Sequence, residues 1–351
     1  MKPAYALMTI MAVTATAPSH ARMKLTENTT IAFATVEQAR QILTQRDPFV
    51  QSMSPFDRAA RLKTDKLVSE KQYLEFVGQN VLAWRPEEQQ KMTTVFRDLQ
   101  AELEPLDPPL PQTILVIKTT GKEEGGAPYT RANAVVLPQS VLPAPAARLQ
   151  QLIAHELFHI ISRTNPSLRE KLYEAIGFVK CAELPFPPEL KPRKLTNPDA
   201  PMNDHCIRIG VDGQDHWAIP ILYSRTEKYD THRGGEFFNY LEFKLLLIER
   251  ATDSDAVKPL YDRQRPRLID TRQASGFYEQ IGNNTQYIIH PEEILADNFA
   301  FLVLGRRNLP SPEIVEKMKR IMNTKLSAKP NVPAGVPAGA TGFDHPSDSP
   351  K

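Results

Sequence analysis

The chain has 351 residues, with 43 lysines and arginines against 41 aspartates and glutamates. This nearly neutral charge, without a basic block or an acidic tract, argues against a nucleic-acid partner and against a solvating tail. The length allows one large domain or two small ones with a substantial core. Because prolines number 31 and glycines 15, we expect rigid loops rather than a flexible, low-complexity protein.

The amino terminus has the pattern of an export signal. Lys2 precedes an uncharged apolar run from Ala4 to Ala17, and Ser19 and Ala21 place small residues at the recognition positions. Such a run is too short for a membrane helix but typical of a signal peptide, so we expect residues 1–21 to be removed. This predicts a secreted or periplasmic protein; the alternative is an amphiphilic start to a cytoplasmic one. No later segment is long and apolar enough to predict a membrane span.

Residues 22–106 are predicted to form a helical N-terminal region. Apolar residues recur there at spacings of three and four, the period of an amphipathic helix. Ser69 and Pro86 occupy positions that favour helix starts, and a proline cluster from Glu104 to Gln112 ends the region. The segments with this pattern are VEQARQIL, SPFDRAARL, SEKQYLEFVGQNVLAW and RPEEQQKMTTVFRDLQAEL.

Residues 107–326 mix strands with helices and are predicted to form a second domain. TILVIKT and YTRANAVVLP are two predicted strands, and a helix containing HELFH follows them. A proline-rich loop over residues 182–205 precedes two further predicted strands, HWAIPILYS and FFNYLEFKLLLIER. The helices HPEEILADNFAFLVLG and SPEIVEKMKRIM close the domain, and residues 327–351 have the composition of a disordered tail. The combination predicts an α+β fold.

The chain has two cysteines, Cys181 and Cys206. In an exported protein they could pair, and the closed loop would stabilise the fold by about 3 kcal/mol in the chain-entropy model. Their spacing does not predict a zinc knuckle, because no second cysteine pair accompanies them.

The helix containing HELFH combines a core face with a polar face. Six aliphatic residues between Leu149 and Ile161 share one face at helical spacing. His155 and His159 lie four residues apart on the opposite side, so their imidazoles can bind one metal ion. Glu156 is rotated about 100° from His155, beside the ligands, where a base that deprotonates a metal-bound water is needed. The alternative is a chance occurrence of the HExxH pattern.

A second helix offers a third ligand, and three protein ligands are usual for catalytic zinc. In HPEEILADNF, Pro291 suits the first helical position, and the following helix is apolar almost all round, so it should be buried. Glu293 and Asp297 nevertheless lie four residues apart on one face of it. Buried carboxylates are costly without a cation or hydrogen-bond donors. Zinc ligation by Glu293, with Asp297 holding the second ring nitrogen of a ligand histidine, would satisfy both.

HExxH followed by a later helix with ExxxD resembles the gluzincin, or thermolysin-like, metallopeptidases. The resemblance covers these two helices and indicates no particular family within the group. It implies one Zn²⁺ per chain with His155, His159 and Glu293 as ligands, Glu156 as the general base, and Asp297 as the partner of His155. It also implies a zincin-like α+β domain with a small sheet and an active-site helix.

One departure from the gluzincin pattern is the separation of His159 from Glu293, which is far longer than in thermolysin. An insertion over about residues 166–285 must therefore lie between the two ligand helices. It leaves room for other ligands. The alternatives are His290 first, and then His205, His216 and His232.

Two further site features follow from the resemblance. Gluzincins bind extended substrate along an edge strand before the active helix, often through an Asn-Ala pair, and Asn133 and Ala134 stand in that order here. The alternative is an ordinary core strand. A zinc peptidase also needs a donor for the oxyanion; Tyr287 and His290 are nearest in sequence to the last ligand helix, and Tyr287 is the preferred candidate. The other candidate donors are His290, Tyr278 and His232.

The resemblance implies a zinc-dependent endopeptidase that hydrolyses peptide bonds of a peptide or protein substrate. A metal-activated water would attack the carbonyl, with Glu156 as general base. One alternative is a non-catalytic zinc-binding scaffold with a metallopeptidase fold. Glu156 argues against it, because zinc binding alone does not require this residue. Another alternative is a zinc hydrolase of a non-peptide amide such as a cell-wall crosslink, since fold does not determine substrate.

Overall fold

The computed structural model of the protein describes residues 22–326, with side chains described up to residue 323. The predicted signal peptide and the predicted tail lie outside this range. Both helices and strands occur throughout the described chain, so the protein is mixed in α and β content, as predicted. Among the helices of residues 22–326, none has both the length and the apolar character that crossing a membrane requires.

A six-stranded mixed sheet lies at the centre of the first half of the chain. Its strands are β1 (Arg22–Lys24), β2 (Thr30–Phe33), β3 (Val81–Leu82), β4 (Thr113–Thr119), β5 (Tyr129–Arg131) and β6 (Ala134–Pro138). Their order is β1-β2-β4-β6-β5, with β3 also paired to β4. β4 runs parallel to β2 and to β6, while β5 pairs antiparallel with β6 at one edge. Continuous apolar runs in β4 and β6 are typical of parallel strands covered on both faces.

Helices cover both faces of this sheet. The α-helices of the described chain are α1 (Val36–Leu43), α2 (Pro48–Ser52), α3 (Pro55–Arg61), α4 (Glu70–Gln79), α5 (Pro86–Leu103), α6 (Ala146–Thr164), α7 (Pro166–Glu174), α8 (Phe277–Ile281), α9 (Pro291–Val303) and α10 (Pro312–Leu326). Alternate residues of a strand point to opposite faces. Accordingly Ile114 and Val116 of β4 share a core with α5 and α6, whereas Ile117 lies in a second core with α1, α2 and α4.

Local sequence explains where several of these helices begin. Thr35 and Ser69 cap α1 and α4 through reciprocal capping boxes, and proline is the first residue of α2, α3, α5, α7 and α9. Short 3₁₀ helices complete the described chain; they span Glu104–Leu106, Lys122–Glu124, Gln139–Val141, Lys191–Arg193, Phe237–Tyr240 and Thr271–Gln273.

Strands from both sides of the predicted domain boundary at residue 106 lie in one sheet. β1, β2 and β3 come before the boundary, and β4, β5 and β6 come after it. α5, which ends the N-terminal region, packs against α6 in the shared core. Residues 22–106 therefore contain strands as well as the predicted helices, and they share their packing with the rest of the chain.

The chain between α6 and α9, predicted to be an insertion, forms a second sheet that is antiparallel throughout. Its strands are β7 (Phe178–Lys180), β8 (His205–Val211), β9 (Gln214–Ser224), β10 (Leu241–Arg250), β11 (Val257–Pro259) and β14 (Leu268–Ile269). Their order is β11-β10-β9-β8-β7, with β14 also paired to β10. A separate two-stranded ribbon pairs β12 (Tyr261–Asp262) with β13 (Arg265–Pro266). The proline-rich loop, residues 182–204, connects β7 to β8 and extends back to the first half of the chain.

Candidate metal centre

Two histidines and a glutamate converge where α6 packs against α9. His155 and His159 project from α6, and Glu293 lies in the first turn of α9. Glu293 Oε2 is 3.2 Å from His155 Nε2 and 3.6 Å from His159 Nε2. The three ligand atoms lie within 4.8 Å of one another, and this group could hold a metal ion. The structure thus brings together the three residues that the sequence predicts as ligands.

The donor set and its spacing fit zinc. Two imidazole nitrogens and one carboxylate oxygen are common ligands of catalytic zinc. Zinc bonds of about 2.0–2.1 Å place the ligand atoms of a tetrahedral site about 3.3 Å apart. The distances of 3.2 and 3.6 Å from Glu293 to the two imidazoles are close to that value.

Each ligand histidine is held through its other ring nitrogen. His155 Nδ1 donates to Asp297 Oδ1 at 2.9 Å, so the contact that the sequence predicts for Asp297 is present. The Thr285 hydroxyl donates to the other carboxylate oxygen of Asp297. His159 Nδ1 donates to Glu292 Oε1 at 2.9 Å. Both contacts place a proton on Nδ1 and direct Nε2 toward Glu293, as metal ligation by Nε2 requires.

Glu292 is a residue of the site that the sequence analysis missed. Besides His159 it accepts hydrogen bonds from the Ser162 hydroxyl at 2.7 Å and from the Tyr173 hydroxyl at 2.5 Å. Burial would raise the pKa of Glu292, but these donors, led by His159, lower it, so the carboxylate is ionised. A signal was available, because Glu292 is a further acidic residue on a helix that is apolar almost all round.

Charges in the centre shift the pKa values of the ligands. Burial lowers the pKa of His159, but the carboxylates of Asp199 and Glu293 raise it to about 9. Burial would raise the pKa of Glu293, yet the two ligand imidazoles lower it to about 2. For His155 the hydrogen bonds to Asp297 and Glu293 outweigh burial and raise the pKa well above its usual value. The centre therefore stabilises positive charge, which a divalent cation also carries.

Glu156 lies beside the ligands on α6 and is only 4% exposed. Its Oε2 atom is buried and has no hydrogen-bond partner among the described residues. Burial and the nearby carboxylate of Asp199 raise the pKa of Glu156 to about 8. An unpartnered buried carboxylate oxygen is costly, so this side chain is suited to accept a proton or hydrogen bond from a small ligand at the centre.

Tyr287 also lies at the centre. Its ring stacks on His155, with ring centroids 6.2 Å apart and planes at 25°. Desolvation and surrounding carboxylates, led by Glu293, raise the pKa of Tyr287 well above its usual value. The hydroxyl therefore stays protonated and can donate to a negatively charged oxygen. Tyr278, the alternative donor, instead hydrogen-bonds to the Thr271 hydroxyl at 2.9 Å.

The four alternative histidines do not join either of the metal-ligand clusters found within residues 22–326. His290 caps α9, its Nδ1 accepting from the Glu292 N–H at 3.1 Å, and burial lowers its pKa to about 4. His205 hydrogen-bonds to two carboxylates at the start of β8. His216 lies on β9, and His232 lies exposed in a turn.

Asn133 and Ala134 are not on the edge of the sheet, and this part of the prediction is wrong. YTRANAVVLP forms two strands, because Ala132 has φ of 50° and turns the chain between β5 and β6. Ala134 pairs with β4 on one side and with β5 on the other. A peptide therefore cannot pair with the main chain of Ala134 as an added strand. The Asn133 amide donates to Thr113 O at 2.8 Å. The edge position belongs to β5 instead.

Cys181 and Cys206 lie close together but are not bonded. Both are buried, free thiols; Cys181 follows β7, and Cys206 lies in β8, the strand that pairs with β7. The two cysteines thus lie at paired strands without a bond, and the disulfide stays a prediction.

Comparisons with protein-family models, curated proteins and solved structures gave no match to this chain. The interpretation of the centre therefore depends on its own residues and geometry.

Proposed function

We propose that this protein is an exported zinc-dependent endopeptidase of the gluzincin type, with a zincin-like fold. The observation that carries the proposal is the convergence of His155, His159 and Glu293 beside the unpartnered carboxylate oxygen of Glu156. A zinc-binding scaffold requires ligands but no adjacent base. The position of Glu156 therefore favours hydrolysis over a purely binding role.

The side chains around the centre have distinct tasks in this reaction. Bound zinc would polarise the scissile carbonyl and lower the pKa of water. Glu156 accepts the proton of the attacking water and passes it to the leaving amine. Tyr287 donates its hydroxyl proton in a hydrogen bond to the carbonyl oxygen as that oxygen becomes negative. Asp297 and Glu292 keep the imidazoles in one tautomer and orientation throughout.

An extended peptide is the substrate that the sheet accommodates best. β5 lies at an edge of the first sheet, and the N–H of Thr130 in this strand donates to a side chain rather than to another strand. The edge of a sheet binds peptides by adding them as a further strand. We therefore place the substrate main chain along β5.

The substitution Glu156→Gln tests the proposal. We expect it to retain about one zinc per chain and to lower peptide hydrolysis by about 10²- to 10⁴-fold, because the base is lost while the ligands remain. Glu174→Gln, at an exposed residue ending α7, is the matched control and should change neither quantity. Zinc content is measured by mass spectrometry and cleavage with a peptide library.

Two outcomes of this experiment would contradict the proposal. Equal cleavage by the wild type and by Glu156→Gln would exclude Glu156 as the base. Zinc binding by both proteins, with no hydrolysis even after the activating substitution described below, would favour the scaffold.

A further inference from the structure

A segment of the proline-rich loop lies across the metal centre. We call residues 195–201 the latch. The side-chain amide of Asn197 in the latch donates to Glu293 Oε1 at 2.5 Å. A carboxylate oxygen of Asp199 lies within 4.8 Å of ligand atoms of His159 and Glu156, which together form a second group able to hold a cation. The latch therefore contacts the third ligand and lies against the base.

Asp199 also occupies the edge of the first sheet. Its Oδ1 accepts hydrogen bonds from the Thr130 N–H at 2.8 Å and from the Thr130 hydroxyl at 2.5 Å. Thr130 is the middle residue of β5, the edge strand to which an extended substrate would pair. The Asp199 carboxylate thus lies at the metal centre and also occupies the Thr130 N–H, a main-chain donor that a substrate would use.

The beginning of the latch is fixed to the N-terminal helices. The Thr196 N–H donates to the Asp57 carboxylate at 3.0 Å, and the Thr196 hydroxyl donates to Ser52 O at 3.1 Å. Arg61 donates to Thr196 O at 3.1 Å. Pro198 and Pro201 restrict the backbone beyond this anchor. These contacts hold the latch in a defined conformation over the centre.

Two cavities have latch residues in their lining. One, of about 340 Å³, is lined by residues that include Ser162 and Glu292 next to the ligand His159. The other, of about 50 Å³, includes Tyr287 in its lining. Pro198 and Asp199 line both cavities. The latch therefore borders two cavities near the centre.

We propose that the latch is autoinhibitory and that Asp199 obstructs the side of the centre formed by His159 and Glu156, where water and substrate would bind. Catalytic zinc sites keep one position open for water and substrate, whereas structural sites are closed by a fourth protein ligand. With Asp199 against His159 and Glu156 and bonded to the Thr130 N–H, the latch covers this position and the main-chain donor of β5 that a peptide would use. A cation also compensates the three clustered carboxylates of Glu156, Glu293 and Asp199. This inference rests on the proposed function and adds its regulation: the latch must withdraw before a peptide is hydrolysed.

The substitution Asp199→Asn tests the latch. Asparagine keeps an oxygen for the Thr130 N–H but is neutral, so Arg163 and a cation in the centre attract it less strongly. Acetohydroxamate needs an open position on zinc. In the zinc-loaded full chain we expect it to bind about 10-fold more tightly to Asp199→Asn than to wild type, because a larger fraction of the variant molecules has the latch withdrawn and that position open. Peptide hydrolysis should rise in parallel while zinc content stays unchanged. Glu189→Gln, at an exposed acid of the same loop, is the control and should match the wild type.

A second variant covers the case in which Asp199→Asn does not fold. Thr130→Val preserves shape but removes the hydroxyl that donates to Asp199. We expect acetohydroxamate to bind more tightly to it than to wild type, with a smaller change than for Asp199→Asn.

The outcomes separate the latch from the proposed function. Equal acetohydroxamate affinity in wild type and in both variants overturns the latch, as does a fall in hydrolysis by Asp199→Asn without tighter binding. Tighter acetohydroxamate binding with no peptide hydrolysis in any variant supports the latch and contradicts the peptidase. A wild-type chain that binds no zinc overturns both.

Discussion

Glu292 holds His159, a proposed metal ligand, without belonging to either of the ligand clusters found among residues 22–326. Its carboxylate accepts hydrogen bonds from His159, Ser162 and Tyr173, and the residue is only 2% exposed. A carboxylate with three donors has its acceptor capacity largely satisfied, so it stays charged despite its burial. That charge fixes the ring of His159 and makes its other nitrogen a stronger ligand.

We predict that Glu292→Gln weakens zinc affinity by about 10- to 100-fold. Glutamine lacks the negative charge, and its amide nitrogen is a hydrogen-bond donor placed among groups that themselves donate. Competition with a chelator of known zinc affinity measures the change. Glu313→Gln, exposed at the start of α10, provides the control. Unchanged affinity in Glu292→Gln would mean that the contact to His159 is structural only.

At the scale of elements, the sequence predicts what local spacing determines. Apolar residues at spacings of three and four predict α6. The helix α9 is apolar almost all round and so should be buried, and burying Glu293 and Asp297 in it is costly unless they have partners. The position of the latch could not be predicted in this way, because Thr196 is held by Asp57, from a distant part of the chain. The turn at Ala132 was missed for a related reason: YTRANAVVLP is apolar enough to suggest one continuous strand.

The anchor of the latch contains a charged cluster with an expected pH dependence. Arg61 is shared between the carboxylates of Asp57 and Glu124, and all three side chains are buried. Burial, together with the charge of Asp57 and in spite of Arg61, raises the pKa of Glu124 from 4.5 to about 7. The folded protein therefore holds this proton more tightly than the unfolded chain does. The stability that Glu124 contributes is complete below pH 4.5 and is lost as pH rises through about 7.

We therefore predict that the free energy of unfolding declines with rising pH across this window, by at most about 1.4 kcal/mol per pH unit from this group. Glu124→Gln should flatten the decline, because glutamine does not titrate. Thermal unfolding followed by calorimetry at pH 5.5 and pH 8 measures both proteins, with the exposed-site variant Glu37→Gln as control. An equal pH dependence in Glu124→Gln and wild type would assign the titration to other groups.

At the scale of the whole molecule, the N-terminal region is part of the scaffold of the metal centre. β2 pairs in parallel with β4, and α5 packs on α6 through side chains that are fully or almost fully buried. Met92, Phe96 and Leu99 of α5 have no exposed surface. Removing residues 22–106 would expose this core and free one side of β4.

We predict that a fragment of residues 107–326 does not fold on its own. It should show no cooperative thermal transition and no tight zinc binding, whereas residues 22–326 should show both, because buried apolar surface stabilises the sheet only when α5 covers it. Circular dichroism and zinc titration of the two proteins make the comparison. A cooperative, zinc-binding fragment would instead identify residues 22–106 as a removable pro-segment.

The separation of the ligands along the chain has a consequence for the order of folding. Glu293 meets His155 across 138 positions, and the five helices α1 to α5 separate β2 from its partner β4 along the chain. Contacts between distant residues form slowly, since each requires the closure of a long loop. We therefore expect the complete set of ligands to come together late, after the rate-limiting step of folding. Zinc should accordingly prolong the lifetime of the native state without shortening the time in which that state is reached.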